Sequence, residues 1–240
     1  MKQQAVYVDN PRGDVRPFID ASARSVLDVG CGRGGFGRTL REVLGPSAHI
    51  VGVEAVMVQA ERARESGAFS EVRTGYFPEA LGESDERFDQ VFFNDVLEHI
   101  YDPWALLREI PRHLAPNGQV VAVIPNIQYW PVIWELVKGR WDYADAGTLD
   151  RTHVRFFTRA TMIEAFVDAG FEVLRCEPAN RYFGGQFSKY PLRALKPVLG
   201  NWQWLHFVVV ARKAVGDDQP RVRTTPIGSK NDATGVTGNA

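Results

Sequence analysis

Short apolar runs recur along the chain, separated by longer stretches in which apolar and charged residues follow a helical period. The runs at 25–30, 49–53, 70–75, 88–93, 118–124, 171–177 and 204–212 are rich in Val, Ile and Phe and bounded by turn-forming residues, which predicts strands. Several are apolar at nearly every position, the pattern of a strand buried on both faces. Between them, Gly35 to Leu44, Val56 to Glu65, Pro103 to His113 and Arg159 to Ala169 read as helices, with Thr158 as an N-cap and Gly170 as a stop. Strands alternating with helices predict an α/β domain, a doubly wound and mostly parallel seven-stranded sheet covered on both faces.

Two stretches exceed what a minimal sheet needs, at 126–157 after the fifth strand and at 178–203 between the last two. Trp130, Trp134, Trp141, Tyr143, Phe156 and Phe157 fall in the first, and Tyr182, Phe183, Phe187, Tyr190, Trp202 and Trp204 in the second. Ligands bind at the carboxyl ends of strands in such sheets, so these insertions are candidates for a substrate lid, or else for a satellite core. The domain is expected at 23–213, after an N-terminal segment at 1–22. From 214 to 240 the chain turns small and polar and is expected to be a flexible tail.

Composition narrows the partners. The 28 Lys and Arg balance 29 Asp and Glu, so no basic field exists to hold a nucleic acid backbone. Cys31 and Cys176 stand in no metal-type spacing, and the first residues lack the apolar core of a secretory signal, which suggests the cytoplasm. Leu205 to Ala211 is too short to span a bilayer, so any membrane contact would be peripheral.

The chemistry concentrates in Ser25-Val26-Leu27-Asp28-Val29-Gly30-Cys31-Gly32-Arg33-Gly34-Gly35, where an apolar strand carrying an acid turns through glycines into a helix. Backbone at Gly30, Gly32 and Gly34 can approach a ligand closely because no Cβ intervenes. Gly30, Gly32 and Gly35 also fit the dinucleotide fingerprint, and Glu54 follows at the distance of a ribose-binding acid. Asp28 separates the two cofactor classes: it would repel a pyrophosphate but favour a cofactor carrying ammonium and sulfonium charges, as S-adenosylmethionine does.

Leu27-Asp28-Val29-Gly30-Cys31-Gly32-Arg33-Gly34 resembles the first motif of the class I S-adenosylmethionine-dependent methyltransferases. Val51-Gly52-Val53-Glu54, Phe88 to His99 and Leu114-Ala115-Pro116-Asn117-Gly118-Gln119-Val120 resemble later segments of that family, in order. The resemblance implies a Rossmann-like fold and S-adenosylmethionine held by Asp28, Gly30, Cys31, Gly32, Gly34, Glu54, Asn94 and Asp95. An NAD(P)-dependent oxidoreductase and a non-catalytic cofactor-binding module stand as alternatives. Relatives often carry an acid after the third strand for adenine; here Thr74-Gly75-Tyr76-Phe77 stands instead, leaving Phe77 or Tyr76 to stack on the ring.

Asn94-Asp95-Val96-Leu97-Glu98-His99 admits three readings: Asp95 lines the cofactor, His99 serves as base, or Asp95, Glu98 and His99 hold a divalent cation, as in quinone O-methyltransferases with a similar arrangement. The expectation adopted is no metal. Gly147 to Thr158 resembles a segment of methyltransferases of saccharide and cell-envelope biosynthesis, with His153 as preferred general base and His99 and Asp95 assisting. Arg151 and Arg155 could bind a substrate phosphate or carboxylate, or pair with Asp145 and Asp150. The expected reaction is O-methylation of a small-molecule acceptor, saccharide or phenol-like, by direct displacement, with a saccharide of polysaccharide biosynthesis preferred on the 147–158 resemblance.

Overall fold

A computed structural model of the chain describes residues 9–179 and 200–214. Seven strands form one sheet: β1 (Ser25–Val29), β2 (His49–Glu54), β3 (Glu71–Thr74), β4 (Phe88–Asn94), β5 (Leu114–Pro125), β6 (Phe171–Pro178) and β7 (His206–Lys213). Their order is β3-β2-β1-β4-β5-β7-β6. β1, β2, β3, β4 and β5 pair in parallel, and β7 runs antiparallel to both β5 and β6. The expected α/β sheet is thus found, with one reversed strand.

Alternate strand residues feed opposite faces, because successive side chains point to opposite sides of a pleated strand. Val26, Ile50, Phe92, Val121, Val123, Val208 and Val210 form one core with Phe36 and Leu40. Leu27, Val29, Val51, Val91, Phe93, Ala122, Phe207 and Val209 form the other with Leu106, Phe166 and Phe171. Helices α1 (Gly35–Leu44), α2 (Met57–Glu65), α3 (Pro103–Glu109) and α5 (Arg159–Asp168) stand where the pattern predicts them. Val15, Phe18 and Ile19, from the segment ahead of β1, are buried in the first of these cores.

Three details differ from the sequence reading. α3 stops at Glu109 and passes into a 3-10 turn at Ile110–Arg112, because Pro111 has no amide hydrogen to continue the helix. β5 begins at Leu114, ahead of the expected 118. The first insertion contains a helix, α4 (Trp130–Val137). The aromatic residues Tyr182, Phe183, Phe187 and Tyr190 lie outside the described residues, as does the expected tail beyond 214.

From β1 the chain winds outward to β2 and β3, then crosses back to β4 on the other side of β1. A reversal of this kind opens a crevice at the carboxyl ends of the two central strands. Among the described residues no helix is long and apolar enough to cross a membrane.

Candidate active site

The floor of the crevice is the glycine elbow. Gly30, Gly32 and Gly34 take φ of 74°, 54° and 89°, a region that side-chain-bearing residues rarely enter. A Cβ on Gly30 would also come within 2.7 Å of Val96 Cγ2, so β1 and the loop after β4 close on one another only because that position is bare.

The elbow's amides are occupied. Gly30 and Cys31 donate to the Val53 carbonyl at 2.8 and 3.1 Å, Gly34 donates to the Cys31 carbonyl at 3.0 Å, and Gly32 donates to Glu54 Oε2 at 2.9 Å. Asp9 Oδ1 and the Asn10 carbonyl crowd Gly35, at the start of α1, where a Cβ would meet each at 2.5 Å. A phosphate needs donated amides and a bare helix N-terminus. Here the donors turn inward and an acid covers the helix, so the elbow suits a cation rather than a pyrophosphate.

Two acids reinforce that preference. Asp28 is buried, and burial, followed by the neighbouring Glu54, raises its pKa to about 8, against an opposing pull from Arg12. Its Oδ2 and both amide atoms of Asn94 are buried, and Asn94 lies close enough to temper the raised pKa of Asp28 without making a well-formed hydrogen bond, so a ligand's ammonium and hydroxyl groups would complete their bonding. Glu54 Oε1 accepts from the Val56 amide at 2.9 Å. Each carboxylate oxygen therefore keeps a lone pair for ribose hydroxyls. These residues fit S-adenosylmethionine.

Across the crevice, Asp95 has φ of 54° and receives the Arg12 guanidinium on Oδ2. His206 Nε2 lies 3.5 Å from Asp95 Oδ1. Arg12, itself at φ 50°, also bonds Asp14, and the segment around it is fastened by Asp9 to Arg38 at 2.5 Å and by Thr39 Oγ1 to the Pro11 carbonyl at 2.6 Å. Sequence reading missed Arg12 and His206. Arg12 lies in the segment expected at 1–22 and His206 inside the run expected as the last strand at 204–212, and neither carried an expected chemistry.

Behind Asp95, in the 3-10 turn at Leu97–His99, Glu98 is buried with neither carboxylate oxygen hydrogen-bonded. Burial and then Asp95 hold its carboxyl well above the usual range. His153 donates Nδ1–H to the Thr148 carbonyl at 3.0 Å, which leaves Nε2 as the bare nitrogen, 3.9 Å from Glu98 Oε1. The His99 and His153 rings meet edge to face at 4.7 Å, and burial followed by His153 lowers the His99 pKa. Donor atoms of Glu98, His99 and His153 all lie within 4.8 Å of one another, a set that a divalent cation could take. The grouping differs from the expected Asp95, Glu98 and His99, because Arg12 engages Asp95 and a loop distant in sequence supplies His153.

Other expected site residues stand elsewhere. Phe77 is buried in the core, edge-on to Phe93 and His113 at 5.7 and 5.3 Å, and Tyr76 beside it is exposed. The Cys31 side chain packs with Ala60, Ala63 and Val72, leaving only its backbone at the elbow. Arg151 pairs with exposed Asp145 at 3.2 Å, whereas Arg155 lies over the Trp104 ring at 5.7 Å and donates to the Tyr101 carbonyl.

Comparison with known proteins agrees with this geometry. A family model described as Methyltransferase domain matches residues 11–175. The ubiquinone biosynthesis O-methyltransferase of Ruegeria pomeroyi is 30% identical over 178 residues, covering 71% of this chain and 68% of the relative. A demethylmenaquinone methyltransferase of Listeria welshimeri is 28% identical over 169 residues, covering 63% of this chain and 71% of the relative. Among solved structures, a SAM dependent methyltransferase from Archaeoglobus fulgidus superposes with a TM-score of 0.61 at 19% identity, over 84% of this chain and 92% of that one, a likeness of fold. With an elbow built for a cationic cofactor and a family match over most of its length, the chain belongs to the class I S-adenosylmethionine-dependent methyltransferases.

Proposed function

We propose that the enzyme methylates a ring hydroxyl of a phenol-like small molecule by direct displacement. The observation that carries this reading is the set formed by buried Glu98 and His153 with half-buried His99, beside Asp95 in the loop after β4. S-adenosylmethionine supplies a methyl group on a sulfonium, already activated for displacement. The chain must align an acceptor oxygen with it, exclude water and take the hydroxyl proton. His153 is suited to the last task, since its Nδ1–H is fixed on the Thr148 carbonyl and Nε2 carries the lone pair that receives the proton. Glu98 Oε1, at 3.9 Å, faces the imidazolium as it forms. Asp28 and the backbone of Gly30, Cys31, Gly32 and Gly34 hold the methionine part, Glu54 the ribose, and Asn94 and Asp95 line the cofactor's acceptor side.

The phenol-like acceptor is favoured because the two relatives above are named for ubiquinone and menaquinone chemistry. A saccharide acceptor rests on the resemblance of residues 147–158 alone. A radiolabelled methyl donor with a panel of catechols, hydroquinones and sugars separates them: label in the phenols and none in the sugars is expected, and the reverse overturns the acceptor class. His153→Gln is expected to lower kcat at least 100-fold with cofactor affinity unchanged, the range of a lost general base. Full turnover with a lowered Tm would instead make His153 a loop anchor.

A second reading has its own observation: the carboxylate of buried Glu98 makes no side-chain hydrogen bond and offers a donor atom within 4.8 Å of those of His99 and His153, a set suited to a divalent cation. A divalent cation on Glu98, His99 and His153 would lower the acceptor hydroxyl's pKa. Activity lost in chelator and restored by one cation supports it; activity indifferent to chelator leaves His153 as base.

A further inference from the structure

Helix α4, Trp130-Pro131-Val132-Ile133-Trp134-Glu135-Leu136-Val137, is apolar at every position except Glu135, yet buries none of its residues. Trp134, Leu136 and Val137 are 47%, 49% and 70% exposed, and Tyr143 just beyond them is 43% exposed. Monomeric proteins seldom leave contiguous apolar surface open unless something covers it. The neighbouring charges cancel in pairs, Glu135 with Lys138, Asp142 with Arg140 and Asp145 with Arg151. The patch therefore presents indole and aliphatic surface with little net field.

A helix of this length spans only about 12 Å. It cannot by itself approach the roughly 800 Å² per partner that a stable protein interface buries. A bilayer boundary demands neither that area nor a matching shape, and indole and phenol rings favour the headgroup level. We infer that α4 and the turn after it form a lipid-contact element that rests in a bilayer surface without crossing it. The element sits at the site's mouth: α4 follows Asn126 at the end of β5, and Asn126 bridges Phe157, which closes the loop carrying His153. Enzyme docked there would meet acceptors dissolved in or anchored to the bilayer.

The inference is independent of which acceptor is methylated, and its test needs no turnover. The full chain is sedimented with vesicles of phosphatidylcholine alone, and its tryptophan fluorescence is followed with brominated phosphatidylcholine. Co-sedimentation and quenching are expected. A Trp134→Ser, Val137→Asp double variant should partition about tenfold less or weaker still, with unchanged circular dichroism and S-adenosylmethionine affinity. Val58→Ser, at an exposed apolar residue of α2, should partition as the parent does. Failure of the parent to pellet, or a double variant that binds vesicles equally, overturns the inference. So does a dimer in sedimentation velocity that the double variant abolishes and vesicles do not displace, or cross-links from α4 to residues 180–199 that vesicles leave unchanged.

Discussion

In its proposed place beside the cofactor's ammonium, Asp28 would make binding a matter of protons. Burial first and Glu54 second raise its pKa to about 8, so near pH 7 the cofactor-free enzyme holds this carboxyl largely protonated. An ammonium placed beside it favours the ionised form, so binding should expel a proton and tighten as pH rises from 6 to 8, flattening above. Calorimetry in two buffers of different ionisation enthalpy checks this, and an affinity level from pH 6 to 9 would refute it. Asp28→Asn should abolish the slope and weaken binding about tenfold or more at pH 8. The stability sign runs the other way. The unfolded chain loses this proton first, so the group's contribution to folding falls as pH climbs from about 4 to about 8, and Asp28→Asn should gain in relative Tm toward pH 8. Glu54 ties the Gly32 and Val56 amides together while facing the crevice, so Glu54→Ala should cost about 1.5–3 kcal/mol of cofactor binding, read as a raised Kd. An unchanged Kd would remove it from the site.

At the scale of elements, what was legible depended on whether a segment obeys a local rule. Thr158 caps α5 reciprocally, its hydroxyl accepting from the Thr161 amide while Thr161 Oγ1 accepts from the Thr158 amide, and the boundary could be read from the residues alone. Thr158→Ala should lower stability by about 1 kcal/mol in denaturant titration. α4 escaped notice because its apolar residues surround the helix instead of marking one face, leaving no period to detect. Gly37 is the opposite case, a residue whose reason is visible only in three dimensions. Alanine normally favours a helix interior by about 1 kcal/mol over glycine. In α1, however, a Cβ at 37 would drive into the Phe69 ring, and overpacking of that kind costs about 1–3 kcal/mol. Gly37→Ala should therefore destabilise despite its propensity, whereas a raised Tm would show that Phe69 yields.

The whole molecule joins its site from parts of the chain that no local pattern connects. The elbow, Glu54 and the loop after β4 were legible because each follows its own strand at a characteristic spacing. Arg12 and His206 were not, since one precedes β1 and the other opens the last strand, and only the β3-β2-β1-β4-β5-β7-β6 order brings both to Asp95. Arg12 reaches Asp95 across 83 positions of sequence, while Asp9 and Pro11 fasten the same segment to α1. The segment thus ties the cofactor side of the crevice to its acceptor side. Arg12 is also the cation that opposes the raised pKa of Asp28 and of Glu98, so its loss should be felt by both clusters at once. A double-mutant cycle of Arg12→Gln and Asp95→Asn, followed by denaturant unfolding, should return a coupling of about 0.5–3 kcal/mol, the range for residues in one ion-paired network. Arg12→Gln alone should also shift the pH dependence of cofactor binding upward, because Asp28 loses its favourable cation. Additive single effects with an unmoved pH profile would show that the segment merely covers the site and leaves its chemistry untouched.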